Sequence, residues 1–256
     1  MKMNLKLIAC ELLLREFCFA AARSPHRIDI EFLPKGLHDA GRKKMSEKVA
    51  EAVAAADSLA AQQKDSSRNY YDAILLGYGL CSGGTTGFST KNVPLVLPRA
   101  HDCITLFLGS SSRYQTVFSE NPGTYFKTIG WIERGNGIIQ GIPLALSEQC
   151  GITGTLESFI EKYGEKNAHY LWEQLNGLNH YSKIMFIETG IEPNDSFVKT
   201  AEKEAAEKGW TFEKTTGDLS LIQQFVNGEW NEKNFLIVPP GKKIEMSMGD
   251  DIVRCV

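Results

Sequence analysis

Apolar residues in this chain fall into short runs of strand length, separated by longer stretches with helical spacing. LKLIAC (Leu5–Cys10) reads as a short buried strand, and ELLLREFCFAAAR after it as a helix whose leucines, Phe17 and Phe19 supply apolar faces. RIDIEFLP (Arg27–Pro34) alternates, with Ile28, Ile30 and Phe32 on one side, and Pro34 closes it. The turn KGLHD places His38 and Asp39 before a long alanine-rich helix, where Asp39 is positioned to act as N-cap. Met45, Val49, Val53 and Ala56 recur along that helix at helical spacing, and KDSSRN links it to the next strand. Two further buried strands follow, AILLGYGL and VPLVLP, separated by the turn CSGGTTG. HDCITLFLG reads as a turn entering a short helix, and SSSRYQTVFSENPG as a second one ended by Pro122 and Gly123. TYFKTIGWIERGNGIIQGIP has no clear period and reads as a packed aromatic loop, and TLESFIEKYGEKNAHYLWEQLNGL as one or two helices. The remainder alternates again: strand KIMFIETG (Lys183–Gly190), an amphipathic helix with an Asp cap (Asp195–Trp210), strand TFEKTTGD, helix LSLIQQFVNGEW and strand NFLIVPPG (Asn234–Gly241). KIEMSMGDDIVRCV forms an edge strand and tail.

Strands alternating with helices predict an α/β protein with Rossmann-like, mostly parallel sheets and flanking helices. The plan repeats without a sequence repeat. It suggests two lobes with a cleft: residues 1–150 carrying the reactive side chains, and 151–256. Ligands in such folds sit beyond the carboxyl ends of the strands.

Composition narrows the class. The chain has 256 residues, 43% of them hydrophobic, enough for a sizeable core. A net charge of −3, without basic blocks, argues against nucleic acid or a membrane surface as partner. The apolar N-terminal run is interrupted by Lys6 and followed by Glu11, Arg15 and Glu16, unlike the about 7–15 uninterrupted residues of a signal peptide. No run reaches the length of a membrane span. A cytoplasmic location is expected. The six cysteines are scattered with no CxxC pair, so a disulfide scaffold is not expected.

The strand-tip rule gathers the candidate chemistry. Cys10 ends the first strand, His38 follows the second, Cys81 ends the third, and Arg99, His101, Asp102 and Cys103 follow the fourth. In a parallel sheet these tips share one edge. Thiolates and imidazole are zinc donors, so Cys10, Cys81, His101 and Cys103 form a candidate metal set, with His38 as a possible substitute. The turn GYGLCSGGTTG, with Gly79, Gly83, Gly84 and Thr85, has the composition of an anion-binding nest, or simply of a tight turn. Arg99 and Arg113 are candidate clamps for a small anionic molecule, and Tyr125 and Trp131 candidate stacking groups. Glu188, at a strand tip of the second half, is the best acid–base candidate there, and Arg99 a second catalytic candidate.

These words in this order, GYGLC, PRAHDCITLFLGS, PGTYF, GWIE, ETG and VPPG, together with IACELLLRE and GLHD, resemble the prokaryotic domain-of-unknown-function family 1638, from Leu7 to about Gly241. The family pattern carries Cys10, His38, Cys81, Arg99, His101, Asp102 and Cys103 at matching positions. The chain departs from it in the turn after Cys81, SGGTTG. The resemblance implies a bacterial or archaeal protein encoded beside corrinoid-dependent methyltransferases, so corrinoid or methyltransferase proteins are expected partners. Three functions remain open. One is a zinc-dependent protein of one-carbon metabolism, a methyltransferase or an accessory enzyme. Another is a non-catalytic sensor or cofactor chaperone. The last is a metal-free thiol enzyme using Cys81 or Cys103.

Overall fold

The first strand organises the larger sheet. In the computed structural model, which describes residues 2–39, 41–62, 70–121, 123–134, 160, 165, 181–247 and 251–256, strand β1 (Asn4–Cys10) is flanked on both sides. Its neighbours are β2 (Arg27–Leu33) and β3 (Ala73–Gly77), followed outward by β4 (Leu95–Pro98) and β8 (Phe235–Val238). The first four strands are parallel, and β8 closes the edge antiparallel to β4, with Leu95 opposite Val238.

Side-chain alternation divides the core in two. Leu5, Leu7 and Ala9 of β1, Leu75 of β3 and Val96 of β4 face α1 (Leu14–Ala22), α4 (Cys103–Leu108) and α8 (Ser220–Val226), packing with Phe17, Phe107 and Phe225. Ile8, Ile74, Leu76, Leu95 and Leu97 face the other way, onto Met45, Val49, Val53 and Ala56 of α3 (Arg42–Gln62). The helical spacing of those four residues is thus the imprint of one buried face. Each leucine or isoleucine so buried is worth about 1.5–3 kcal/mol. Gly77 is needed for this packing, because a Cβ there would lie 2.7 Å from both Ala9 Cβ and the Phe17 ring.

A second, all-parallel sheet has the order β5 (Thr124–Lys127), β6 (Lys183–Glu188), β7 (Thr211–Thr216). Ile184 and Phe186 of β6 pack on Ala201 and Ala205 of α7 (Ser196–Lys208) and on Ile129 of α6 (Ile129–Arg134). The remaining elements are α2 (Gly36–Asp39), α5 (Ser111–Glu120) and the hairpin β9 (Ile244–Met246) with β10 (Val253–Cys255). Among the described residues, no helix is long and apolar enough to cross a membrane.

The expected α/β class with parallel sheets holds. β5 belongs to the second sheet, and β8 returns to complete the first. Hydropathy reports that a strand is buried, not which edge accepts it. Three local expectations change. The segment 124–134, read as a loop, is a four-residue strand and a six-residue helix, each too short to display a period. The tail forms a hairpin rather than a lone strand. Asp39 closes α2, and α3 begins at Arg42, so Asp39 does not cap the long helix. The linker KDSSRN, the rest of the aromatic loop, and the helices expected between residues 155 and 178 lie outside the described residues, apart from positions 160 and 165, which are helical.

Candidate functional site

Parallel pairing of β1, β3 and β4 puts their carboxyl ends on one edge, and three cysteines with it. Cys10 is the last residue of β1, Cys81 follows β3, and Cys103 opens α4 after β4. The two turns are joined through backbone: the Leu80 amide donates to the Ala100 carbonyl (2.7 Å) and the Cys81 amide to that of His101 (3.0 Å). Gly79 lets them meet, because a Cβ there would lie 2.6 Å from Asp102 Cα. Cys81 itself has φ +47°, in the left-handed region that side chains other than glycine rarely occupy. Such outliers persist where the surroundings over-determine them, and they cluster at functional sites.

The edge opens into a cavity of about 510 Å³, lined by all three cysteines and His101. That volume suits a small molecule. Its opposite wall comes from α5, β5 and α6 and is aromatic. Tyr114 stacks on Phe118 with ring centroids 5.7 Å apart, and Tyr125 meets Trp131 (6.4 Å) and Tyr181 (5.4 Å) edge-on. A shallower depression of about 840 Å³ beside α1 is an open surface groove holding the Arg15–Glu133 ion pair.

Electrostatics at the strand tips disfavours bare thiolates. Burial pushes the Cys81 thiol up, and negative charge on Cys10 or Asp102 pushes it further. Cys103 is raised well above the ordinary range by burial, then by Asp102, Cys81 and Cys10. The three sulfurs therefore lie within electrostatic reach of one another. Burial also raises Asp102, opposed by the Tyr114 hydroxyl, which donates to Oδ2 (3.0 Å), and by the Thr105 and Ile104 amides, which donate to Oδ1. Asp102 thus caps α4 and fixes the turn carrying His101 and Cys103. Three sulfurs and an imidazole suit zinc as a donor set. Among the described residues, however, no three His, Cys, Asp or Glu side chains stand in an arrangement that could hold a metal ion. The donors share a cavity without closing on a point.

Other expected site residues fall elsewhere. The Arg99 fork is committed to backbone: Nε donates to the Glu232 carbonyl (2.8 Å), and Nη1 to those of Asp251 (2.9 Å) and Val253 (2.5 Å). It ties the end of β4 to the C-terminal segment. Arg113 likewise donates to the carbonyls of Leu108 and Thr216. Glu188 ends β6 in the other sheet and pairs with Lys214 at 2.9 Å. In the glycine turn, the Gly83 and Gly84 amides donate to the Leu80 and Cys81 carbonyls, and the Thr85 hydroxyl donates inward to Gly79 and Leu80. These groups build the turn instead of cradling an anion. Gly79, Tyr125 and Trp131 do line the cavity. His38 lies in α2, and its side chain is outside the described ones.

Sequence reasoning missed Lys35 and Tyr78, both of which line the cavity. A signal for the turn existed in the spacing G-x-C-x-G, Gly79 to Gly83, which is the pattern of a sharp turn presenting a side chain at a strand end. Lys35 follows the carboxyl end of β2, on the same edge of the sheet as Cys10.

No curated protein and no solved structure matches the chain. The family model described as "Protein of unknown function (DUF1638)" matches residues 32–226, a span that holds Cys81, His101, Asp102, Cys103 and the aromatic wall and stops short of Cys10. With most of its length matched, the chain belongs to the DUF1638 family.

Proposed function

We propose that the protein binds a small ligand in the strand-tip cavity, and that Cys10, Cys81 and Cys103, with His101, close around a thiophilic metal ion when one is supplied, zinc being the ion the donors suit best. The observation that carries the reading is the opening of three thiols, from three separate strand ends, into one cavity. Each thiolate would raise the proton affinity of the others, so a cation among them relieves a repulsion that the protein alone does not. When bound, zinc supplies the charge that keeps thiols deprotonated at neutral pH. Asp102, held by Tyr114 and the α4 amides, positions the His101–Cys103 turn, and the aromatic wall keeps water from the sulfurs. In corrinoid-linked one-carbon metabolism, the setting implied by the family resemblance, a corrinoid or methyltransferase protein would be the partner at the mouth of this cavity.

Binding is favoured over turnover, because Glu188, the acid–base candidate, and Arg99, the second catalytic candidate, are engaged outside the cavity. This supports the sensor or chaperone form of the reading. Zinc uptake by tag-free protein, followed by calorimetry and thiol titration, tests it. Stoichiometric uptake, lost in Cys81→Ser and Cys103→Ser, is expected. Uptake below about 0.2 equivalents, with the thiols still titratable at a pH where zinc–thiolate bonds are stable, ends the metal part.

A further inference from the structure

The lining of the strand-tip cavity is mostly apolar. The rings of Tyr114 and Phe118 pack together, as do those of Tyr125, Trp131 and Tyr181. Leu12, Leu37, Met45 and Ile104 add aliphatic surface. Such a lining suits the faces of a flat aromatic ligand. Within it, Trp131 Nε1, Tyr78 Oη and Thr124 Oγ1 are buried and have no hydrogen-bond partner among the described residues. Native proteins rarely leave such groups unpaired unless water or a ligand completes them. Trp131 Nε1 can only donate, so whatever completes it must present an acceptor.

Charged side chains of both signs border the cavity, and each is already engaged. The Lys35 ammonium lies 5.3 Å from the centre of the Trp131 ring. The Asp102 carboxylate accepts from the Tyr114 hydroxyl (3.0 Å) and from the Ile104 and Thr105 amides. Neither sign prevails, so the lining selects neither an anion nor a cation. A charged ligand would shed its water here with little to offset the loss, whereas a neutral one gives up far less. We infer that the cavity binds an uncharged, planar heteroaromatic molecule, whose ring nitrogen or ring carbonyl accepts from Trp131 Nε1 while its faces lie against the apolar lining. The inference rests on the ligand-binding part of the proposed function and is independent of the metal part.

The test uses chelator-treated full-length protein with ¹⁵N-labelled tryptophan indoles, at a mildly alkaline pH where quinoline is uncharged. Five two-ring probes of similar shape are titrated in. Quinoline offers a ring nitrogen and carbostyril a ring carbonyl; naphthalene offers no acceptor, naphthoate is an anion and N-methylquinolinium a cation. Trp131→Phe assigns the resonance; if that variant does not fold, replacing the other three tryptophans assigns it by elimination. Quinoline or carbostyril should move the Trp131 indole proton downfield, saturably, and bind about fivefold tighter than naphthalene, the scale of one neutral hydrogen bond. Both charged probes should bind more weakly than the neutral pair. Folded Trp131→Phe should lose the same factor for the heteroaromatic and little for naphthalene. The inference is overturned if neither heteroaromatic moves the resonance, if naphthalene binds as tightly, or if Trp131→Phe binds like wild type. Tighter binding of naphthoate or N-methylquinolinium also overturns it, while leaving the cavity a ligand site. Heteroaromatic binding without zinc uptake retires the metal part alone. Zinc uptake without any heteroaromatic response retires this inference alone.

Discussion

Replacing Glu16 by Gln should change how stability depends on pH. Glu16 lies on α1, fully buried, with Oε2 unpartnered among the described residues, and its carboxyl is held by its own backbone amide and by a long contact (3.5 Å) from the Thr189 hydroxyl to Oε1. Burial pushes its carboxyl up to about 7 from the ordinary 4.5; Glu192, across from it, adds to this, and Arg15 opposes it. Below about pH 4.5 both the folded and unfolded states hold the proton, and the group is neutral in its effect. Between that pH and about 7 the unfolded chain releases the proton while the native state keeps it, so stability falls as pH rises. Above about 7 the loss is complete. At about 1.4 kcal/mol per tenfold in proton affinity, the gap amounts to about 3 kcal/mol. Urea denaturation of wild type and Glu16→Gln at about pH 4.5, 6 and 8, followed by circular dichroism, measures it. The variant should gain on wild type steadily across that range, by up to about 3 kcal/mol. Parallel pH profiles for the two proteins would refute the reasoning.

Three further outcomes follow from the geometry. Gly79→Ala should cost at least about 2 kcal/mol in urea denaturation, because the 2.6 Å approach is to Asp102 backbone, which cannot yield without moving the Cys81 and Cys103 turns apart. Asp57→Ala should cost about 3 kcal/mol by the same assay, since its carboxylate accepts from the amides of Lys91, Asn92 and Val93 at 2.8–3.2 Å and ties α3 to the turn before β4; Asp57→Asn should recover only part of it. In timed alkylation of metal-free protein at neutral pH, the exposed Cys255 should react early, and the half-buried Cys81 and Cys103, whose thiols are raised, much more slowly. Rapid stoichiometric labelling of Cys81 would overturn that burial argument and favour a thiol nucleophile.

The candidate site was legible to the extent that it depends on strand tips. Cys10, Cys81 and Cys103 are far apart in sequence, yet each follows an apolar run, and parallel pairing puts such ends together. Arg99 and Arg113 show where a linear reading stops. Their positions beside the site residues are visible in the sequence, but the direction of a long side chain is not. Arg99 turns to carbonyls at Asp251 and Val253, residues brought close only by β8 and the β9–β10 hairpin. Lys35 was overlooked for the converse reason: its neighbour Trp131 is almost a hundred residues away, in a segment whose elements are too short to show a period.

What the sequence alone determined is local: which stretches bury one face or two, where they stop, and hence an α/β chain with cysteines at its strand ends. Those features follow from side-chain period and from glycine and proline, which act over a few residues. The tertiary structure decided the order of strands, the antiparallel return of β8, the aromatic wall opposite the thiols, and which polar atoms were left unpaired. Each of these depends on contacts between distant segments competing for the same edge or the same hydrogen bond, and a linear pattern of polar and apolar residues does not record who wins.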